Sequence, residues 1–155
     1  YGLKLMGFRY FNIFGPRQDP DGVYAAVIPL FVKDIMKRIP VFINGDGAQT
    51  RDFTFVENAV QANIKGMLTQ NTEALNKVYN VAVGESFSVN YLYQACTNYL
   101  KSDFAATYRE PRAGDIRNSL ADISLAKTLL GYQPVKKFEE GLEQTIEFFK
   151  QIYSK

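Results

Sequence analysis

The chain has 155 residues, of which 46% are hydrophobic and 22% charged, and its net charge is +2. That length and apolar content suit one globular domain, or one large piece of a two-part protein, and exclude intrinsic disorder. The small basic excess is scattered among acids, as where Lys136 and Lys137 precede Glu139 and Glu140, and this excludes the one-sided cationic face of a nucleic-acid binder.

Leu3, Leu5 and Met6 lead into an apolar run from Gly7 to Phe14, which predicts a buried strand stopped by Gly15-Pro16. Asp19-Pro20-Asp21-Gly22 is turn chemistry. Between Ala25 and Arg38 the residues Val27, Leu30, Phe31, Ile35 and Met36 recur near helical period, and Pro29 places the helix start around it. Val41 to Asn44 reads as a short strand. Gly45-Asp46-Gly47 supplies the positive φ of a tight turn, and Arg51 to Val56 reads as the returning strand of a hairpin. Glu57 to Leu68 follows as a helix with Val60, Ile64, Met67 and Leu68 on one face.

Val78 to Val83 predicts a strand ended by Gly84. Ser88 is the N-cap of a helix running through Leu100, and Phe104 to Tyr108 is a further short strand. Asp122 caps a helix to Leu130, which Gly131 closes at the position after the C-cap. Phe138, Leu142, Ile146, Phe149 and Ile152 mark a last amphipathic helix. The fold class is therefore α/β, or α+β taken as an isolated piece: a small mixed sheet or hairpin with packed helices, with too few strands for a complete doubly wound sheet.

The missing residue types narrow the chemistry. Histidine is absent, which removes Ser-His-Asp and Cys-His nucleophile systems and the commonest metal ligand; no metal site is expected. The single cysteine, Cys96, permits no intrachain disulfide and points to a reducing, cytoplasmic compartment. It lies in the helical run Tyr91 to Cys96 and reads as a buried structural thiol. No apolar run nears the roughly 20 residues of a membrane span, and no signal peptide is visible. The chain opens on Tyr1 rather than Met, which reads as a cut.

Two motifs are tested and fail. Gly45-Asp46-Gly47 lacks the third glycine of a dinucleotide fingerprint and does not join a strand to a helix. Tyr132-Gln133-Pro134-Val135-Lys136 has the spacing of a phenol and an amine on one helical face, but Pro134 and Gly131 forbid that helix. With no acid/base pair of evident purpose, the chain is expected to be inactive alone.

Four blocks in order resemble the extended short-chain dehydrogenase/reductase family, of the NAD-dependent epimerase/dehydratase type. They are Arg9 to Pro20 (RYFNIFGPRQDP), Ala25 to Pro29 (AAVIP), Ile43 to Gly47 with Arg51-Asp52-Phe53, and Pro111 to Asp115 (PRAGD). UDP-N-acetylglucosamine 4-epimerases and UDP-glucose 4-epimerases are the nearest look-alikes. The resemblance implies the substrate-binding C-terminal region of such an enzyme, with 1–16 as the tail of a Rossmann core and 17–155 as the nucleotide-sugar-binding part. The NAD-binding domain and the catalytic Tyr and Lys would lie upstream, so NAD is not expected on this chain.

The resemblance also assigns roles. Arg51 and Arg112 match pyrophosphate-binding arginines, whose planar fork suits phosphate oxygens; taken without the resemblance they read as surface salt bridges, and Arg51-Asp52 in particular as local charge pairing. Asp115 matches a carboxylate near the ribose hydroxyls, and Asn12 an amide that contacts the sugar and its phosphate. Tyr10 would lie near the nicotinamide. Ala26 and Val27 would offer backbone groups to the uracil, Phe31 and Phe42 apolar walls, and Asn44 a contact at the nucleotide end. Ser119 would line the sugar's 2-position, where a small residue leaves room for an N-acetyl group and favours UDP-GlcNAc and UDP-GalNAc. The implied parent oxidises the sugar's 4-position by hydride transfer to NAD and returns the hydride to the other face. Its full-length form would be a homodimer, while the piece alone would self-associate through an exposed inter-domain face. Other UDP-sugar chemistry on the same scaffold (decarboxylase, dehydratase or UDP-glucuronate epimerase) and a non-catalytic nucleotide-sugar-binding module remain alternatives.

Overall fold

The computed structural model describes residues 1–22 and 26–153. In chain order the elements are β1 (Met6–Tyr10), β2 (Ile13–Phe14), α1 (Val27–Met36), β3 (Phe42–Asn44), β4 (Thr50–Arg51), β5 (Thr54–Phe55), α2 (Val56–Leu68), β6 (Lys77–Val81), β7 (Phe87–Ser88), α3 (Val89–Leu100), β8 (Thr107–Arg109), α4 (Ser124–Leu130) and α5 (Phe138–Tyr153), with a 3-10 turn at Thr72–Ala74. The strands form four two-stranded pairs: β1 with β6, β2 with β5 and β3 with β8 are parallel, and β4 with β7 is antiparallel. The mixed α/β class holds.

Two hydrophobic clusters result. One lies among α1, α3 and α5 and the strands beneath them, and contains Phe14, Phe31, Val32, Ile43, Phe53, Phe55, Leu92 and Phe138. The other joins the β1–β6 pair to α2 and α4 through Ala59, Ala62, Tyr79, Val81, Ala126 and Tyr132. Cys96 is fully buried in the first, and burial pushes its thiol up to about 12. The periodic helices sit where their patterns place them. Ser88 Oγ accepts from Tyr91 N at 3.0 Å, and Gly131 adopts φ 61° after α4. Asp122 acts one position earlier than an N-cap, accepting from Ser124 N at 2.8 Å while Ile123 occupies the cap. In α1 the helix begins at Val27, so Pro29 falls in the first turn, where a missing N–H leaves no intrahelical bond unmade. Ala25 lies outside the described residues.

Several strand expectations are corrected. The run from Gly7 to Phe14 is broken at Asn12, whose φ is 35°; its side chain donates to Asp52 O at 3.1 Å and its carbonyl accepts from Thr54 N at 3.2 Å. Nor is the segment from Leu3 to Phe14 uniformly buried, for Leu3, Leu5 and Tyr10 are exposed. The Gly45-Asp46-Gly47 turn exists, with both glycines at positive φ, but it does not close a hairpin. Asn90 is the reason: its N–H donates to Gly47 O and its side-chain amide to Asp46 O, both at 2.9 Å, so the turn is bound to the start of α3. β3 then pairs with β8, and β4 with β7. The expected strand from Arg51 to Val56 is split because Asp52 turns inward between β4 and β5.

In α2 the shared face of the larger apolar residues is the outward one. Val60, Ile64, Met67 and Leu68 face outward, while Asn58, Ala59, Ala62 and Gly66 are buried. Small residues let the helix lie close on β1: a Cβ on Gly66 would come 2.7 Å from the Phe8 ring. Among the described residues, no helix is long and apolar enough to cross a membrane.

Candidate functional site

The end of β3, the start of α1, β4 and the segment following β8 converge on a cleft of about 340 Å³. Its apolar side is Val27, Leu30 and Phe31 from α1, with Phe42 and Ile43 from β3 and Val89 from α3. Its polar side is Asn12, Asn44, Gln49, Arg51, Arg109, Arg112 and Asp115. Eight expected residues are thus brought together: Asn12, Val27, Phe31, Phe42, Asn44, Arg51, Arg112 and Asp115. They come from separate segments, so local secondary structure alone does not assemble them.

The arginines differ in their engagement. Arg51 Nη1 donates to Thr50 O at 2.7 Å, and its Nη2 is bonded to the Asp115 carboxylate. Arg51 is thus in a salt bridge, with Asp115 rather than Asp52 as its partner. Asp52 is fully buried and accepts from Val83 N at 3.0 Å and Gly84 N at 2.9 Å. Burial raises its carboxyl, and the backbone donors of Val83, Gly84 and Ala121, with the Thr54 hydroxyl, pull it back. Among the described residues neither Arg109 nor Arg112 makes an ion pair.

Asn44, Gln49, Arg109, Arg112 and Asp115 also line an adjoining chamber of about 470 Å³, completed by residues such as Gly45, Glu110, Pro111 and Arg117. On its rim Arg117 grips Asp46 with both terminal nitrogens, at 2.7 and 2.8 Å. That fork, helped by Ala48 N–H, holds the Asp46 carboxyl well below the usual carboxylate range. Ala26 lines a smaller hollow of about 90 Å³ that shares Asn12 and Val27 with the cleft.

Two expected residues stand apart. Tyr10 is half-exposed between β1 and α2, where its hydroxyl exchanges hydrogen bonds with the Asn63 side chain at 2.9 and 3.1 Å. Ser119 does not line the cleft; its N–H donates to Thr50 O at 3.1 Å, which holds it beside β4. Sequence reasoning missed Leu30, Gln49 and Arg109. Gln49 is buried, and its amide donates to Asn44 O at 2.8 Å. Arg109, in Tyr108-Arg109-Glu110-Pro111-Arg112, lies close to a block already singled out, and only the β3–β8 pairing shows that it faces the same cleft. Among the described residues no cluster of His, Cys, Asp or Glu could hold a metal ion.

Known proteins share this fold. Residues 1–82 match the NAD dependent epimerase/dehydratase family. A putative UDP-glucose 4-epimerase of Methanocaldococcus jannaschii is 33% identical over 97% of this chain and 47% of its own length. The crystal structure of a Thermotoga maritima UDP-glucose 4-epimerase with UDP-glucose is 38% identical and superimposes with a TM-score of 0.92, over 98% of this chain and 48% of that one. A UDP-N-acetylglucosamine 4-epimerase from Methanobrevibacter ruminantium, solved in complex with UDP-N-acetylmuramic acid, is 42% identical with a TM-score of 0.90, over 98% and 48%. The chain spans about half the length of the curated relatives it matches. Matched over its first 82 residues by the family profile and along nearly all its length by these Rossmann-type epimerases, the chain belongs to the NAD dependent epimerase/dehydratase family.

Proposed function

We propose that this chain is the nucleotide-sugar-binding portion of an NAD-dependent UDP-hexose 4-epimerase, acting on UDP-GlcNAc and UDP-GalNAc in the cytoplasm. The observation that carries the reading is the convergence of Arg51, Arg112 and Asp115 with Phe31 and Phe42 on one cleft. Guanidinium forks suit phosphate oxygens, an acceptor-only carboxylate suits ribose hydroxyls, and aromatic walls suit a pyrimidine. The choice of an N-acetylated hexose rests on the resemblance at Ser119 alone, because Ser119 lies beside β4 and not on the cleft.

NAD is assigned mainly to the rest of the protein, with Tyr10 of this chain near the nicotinamide. Among the described residues, the direct strand-to-helix junctions Phe55–Val56 and Ser88–Val89 carry no glycine-rich turn of the kind that lets backbone approach a dinucleotide pyrophosphate. No redox step is therefore assigned to this chain. Its contribution is to anchor the UDP so that the hexose can turn without leaving, and orientation comes from binding remote from the reacting carbon. The cofactor-binding half is supplied by the rest of the protein. The unpaired outer edge of β1 and the exposed stripe of Val60, Ile64 and Met67 on α2 are the faces it would cover, and by which the isolated chain self-associates.

Titration of the chain with UDP, UDP-GlcNAc and GDP, followed by NMR, tests the reading. Weak UDP binding that perturbs the cleft residues, with little gain from the hexose, is expected. Perturbations elsewhere, or none at about 10 mM, would remove the nucleotide-sugar assignment. Submicromolar, hexose-dependent binding would favour a self-sufficient binding module.

A further inference from the structure

We propose that Arg109 is a third diphosphate-binding arginine of this site and that Asn44 is the residue that positions it, rather than a direct contact of the nucleotide. The inference rests on the nucleotide-sugar reading above and redistributes its contacts. Arg109 Nε donates to Asn44 Oδ1 at 2.6 Å. The two residues are register partners in the parallel β3–β8 pair, and Gly45 N donates to Arg109 O at 2.8 Å, so the backbones are locked side by side. The guanidinium also lies over the Phe42 ring, 5.2 Å from its centroid. Three constraints thus fix one plane: the ladder, the Nε bond and the aromatic face.

Engaging Nε leaves the outer edge of the guanidinium, with both terminal nitrogens, for another partner. Among the described residues neither terminal nitrogen of Arg109 makes a hydrogen bond. That edge is the part of an arginine that meets a phosphate with two parallel bonds. Asn44, by contrast, has committed its side-chain acceptor to Arg109 and its carbonyl to Gln49.

Charge balance agrees. The cleft gathers three guanidinium groups, Arg51, Arg109 and Arg112, and one carboxylate, Asp115, which is bonded to Arg51. Among the described residues Arg109 and Arg112 make no ion pair, and a nucleoside diphosphate ester carries one negative charge on each phosphate. A single free arginine would leave half of that charge unmatched in the cleft. A planar cation on Phe42 could instead stack on the base, so the test separates base from phosphate.

Affinities of UDP and of uridine for the chain are measured by NMR titration in four proteins: wild type, Asn44→Ala, Arg109→Ala and the double variant, each checked for a native spectrum. Arg109→Ala should weaken UDP about tenfold and leave uridine unchanged. Asn44→Ala should weaken UDP severalfold in the wild-type background and not at all once Arg109 is gone, because a residue acting only through another shows full coupling in such a cycle. If wild type binds UDP but Arg109→Ala binds it equally well, or if the two losses add, the assignment fails while the nucleotide-sugar reading stands. Equal losses for uridine and UDP would place Arg109 on the base and overturn the phosphate role. If wild type binds neither ligand, the nucleotide reading fails, and the assignment with it.

Discussion

Arg51 and Asp115, separated by 64 positions, are joined by an ion pair across the cleft, while the other terminal nitrogen of Arg51 is bonded to Thr50 O at 2.7 Å. The guanidinium is thereby aimed into the cavity before any ligand arrives. On the proposed reading, an entering phosphate would compete with a carboxylate already bonded to that guanidinium, and the released carboxylate would become available to a ribose.

That relationship sets the expected behaviour of Arg51 variants. Arg51→Ala should lower UDP affinity about tenfold or more, since charge-assisted bonds contribute about 1.5–3 kcal/mol each. Arg51→Lys should fall between, because an ammonium keeps the charge but cannot serve Thr50 O and Asp115 in one plane. Stability should change by under about 1 kcal/mol, because the Asp115 side chain is 35% exposed and such pairs are screened. Parallel UDP titrations and thermal melts measure both quantities. Unchanged UDP affinity in both variants would remove Arg51 from the phosphate site.

The helices were legible in the sequence because periodicity, Ser88 and Gly131 are local signals, and they form where those signals lie. The strand pairings were not, since each strand here is short and its partner is set by a distant contact. Asn90 binding Gly47 and Asp46 turned an expected hairpin into two separate ladders. The outward direction of the apolar face of α2 was not legible for a related reason. Close packing on Phe8 selects Gly66 and alanines, so the larger apolar residues are left outside. In the site, eight residues assigned by resemblance do meet, whereas Arg109 and Gln49 gain their positions only from the β3–β8 pairing and a buried amide bond.

Substrate choice is tested at Ser119 in the whole protein. Its N–H is fixed to Thr50 O beside β4, outside the described cleft, so an effect on the sugar depends on the part of the site that the rest of the protein completes. Ser119→Tyr should lower kcat/KM for UDP-GlcNAc at least about tenfold relative to UDP-glucose, a range accessible to steric exclusion in a fitted pocket. Steady-state rates on the two sugars give the ratio. Full retention of activity on the acetylated sugar would show that Ser119 does not face the sugar's 2-position.

Asp52 is a stability residue despite lying next to Arg51. It joins the β4–β5 link to the end of β6 through the backbone N–H groups of Val83 and Gly84. Asp52→Ala leaves buried donors without a partner and should cost about 2–4 kcal/mol, read from urea melts. The pH sign follows from burial, which raises the folded-state value above the unfolded one. This group's contribution is fully present below the ordinary aspartate range and declines as pH rises through the raised value. Wild type minus Asp52→Asn stability, measured across the acid range, should therefore shrink with rising pH. A difference that grows instead would reverse the assigned shift.

Cys96 gives a readout of the core in the native chain. It is fully buried within the α1–α3–α5 cluster, and burial alone pushes its thiol up to about 12. The reactive species is the thiolate, so both access and ionisation are suppressed at neutral pH. A disulfide reagent at pH 8 should modify the folded chain only as fast as it unfolds, and modify it at once in denaturant. The linkage has the same direction as for Asp52. The folded value exceeds the unfolded one, so the contribution is intact below the usual thiol range and lost as pH climbs towards 12. A labelling rate that rises with reagent concentration without limit, in chain that remains folded by circular dichroism, would mean that the thiol is reached through local opening of α3. The cluster beneath the cleft would then be looser than its burial implies.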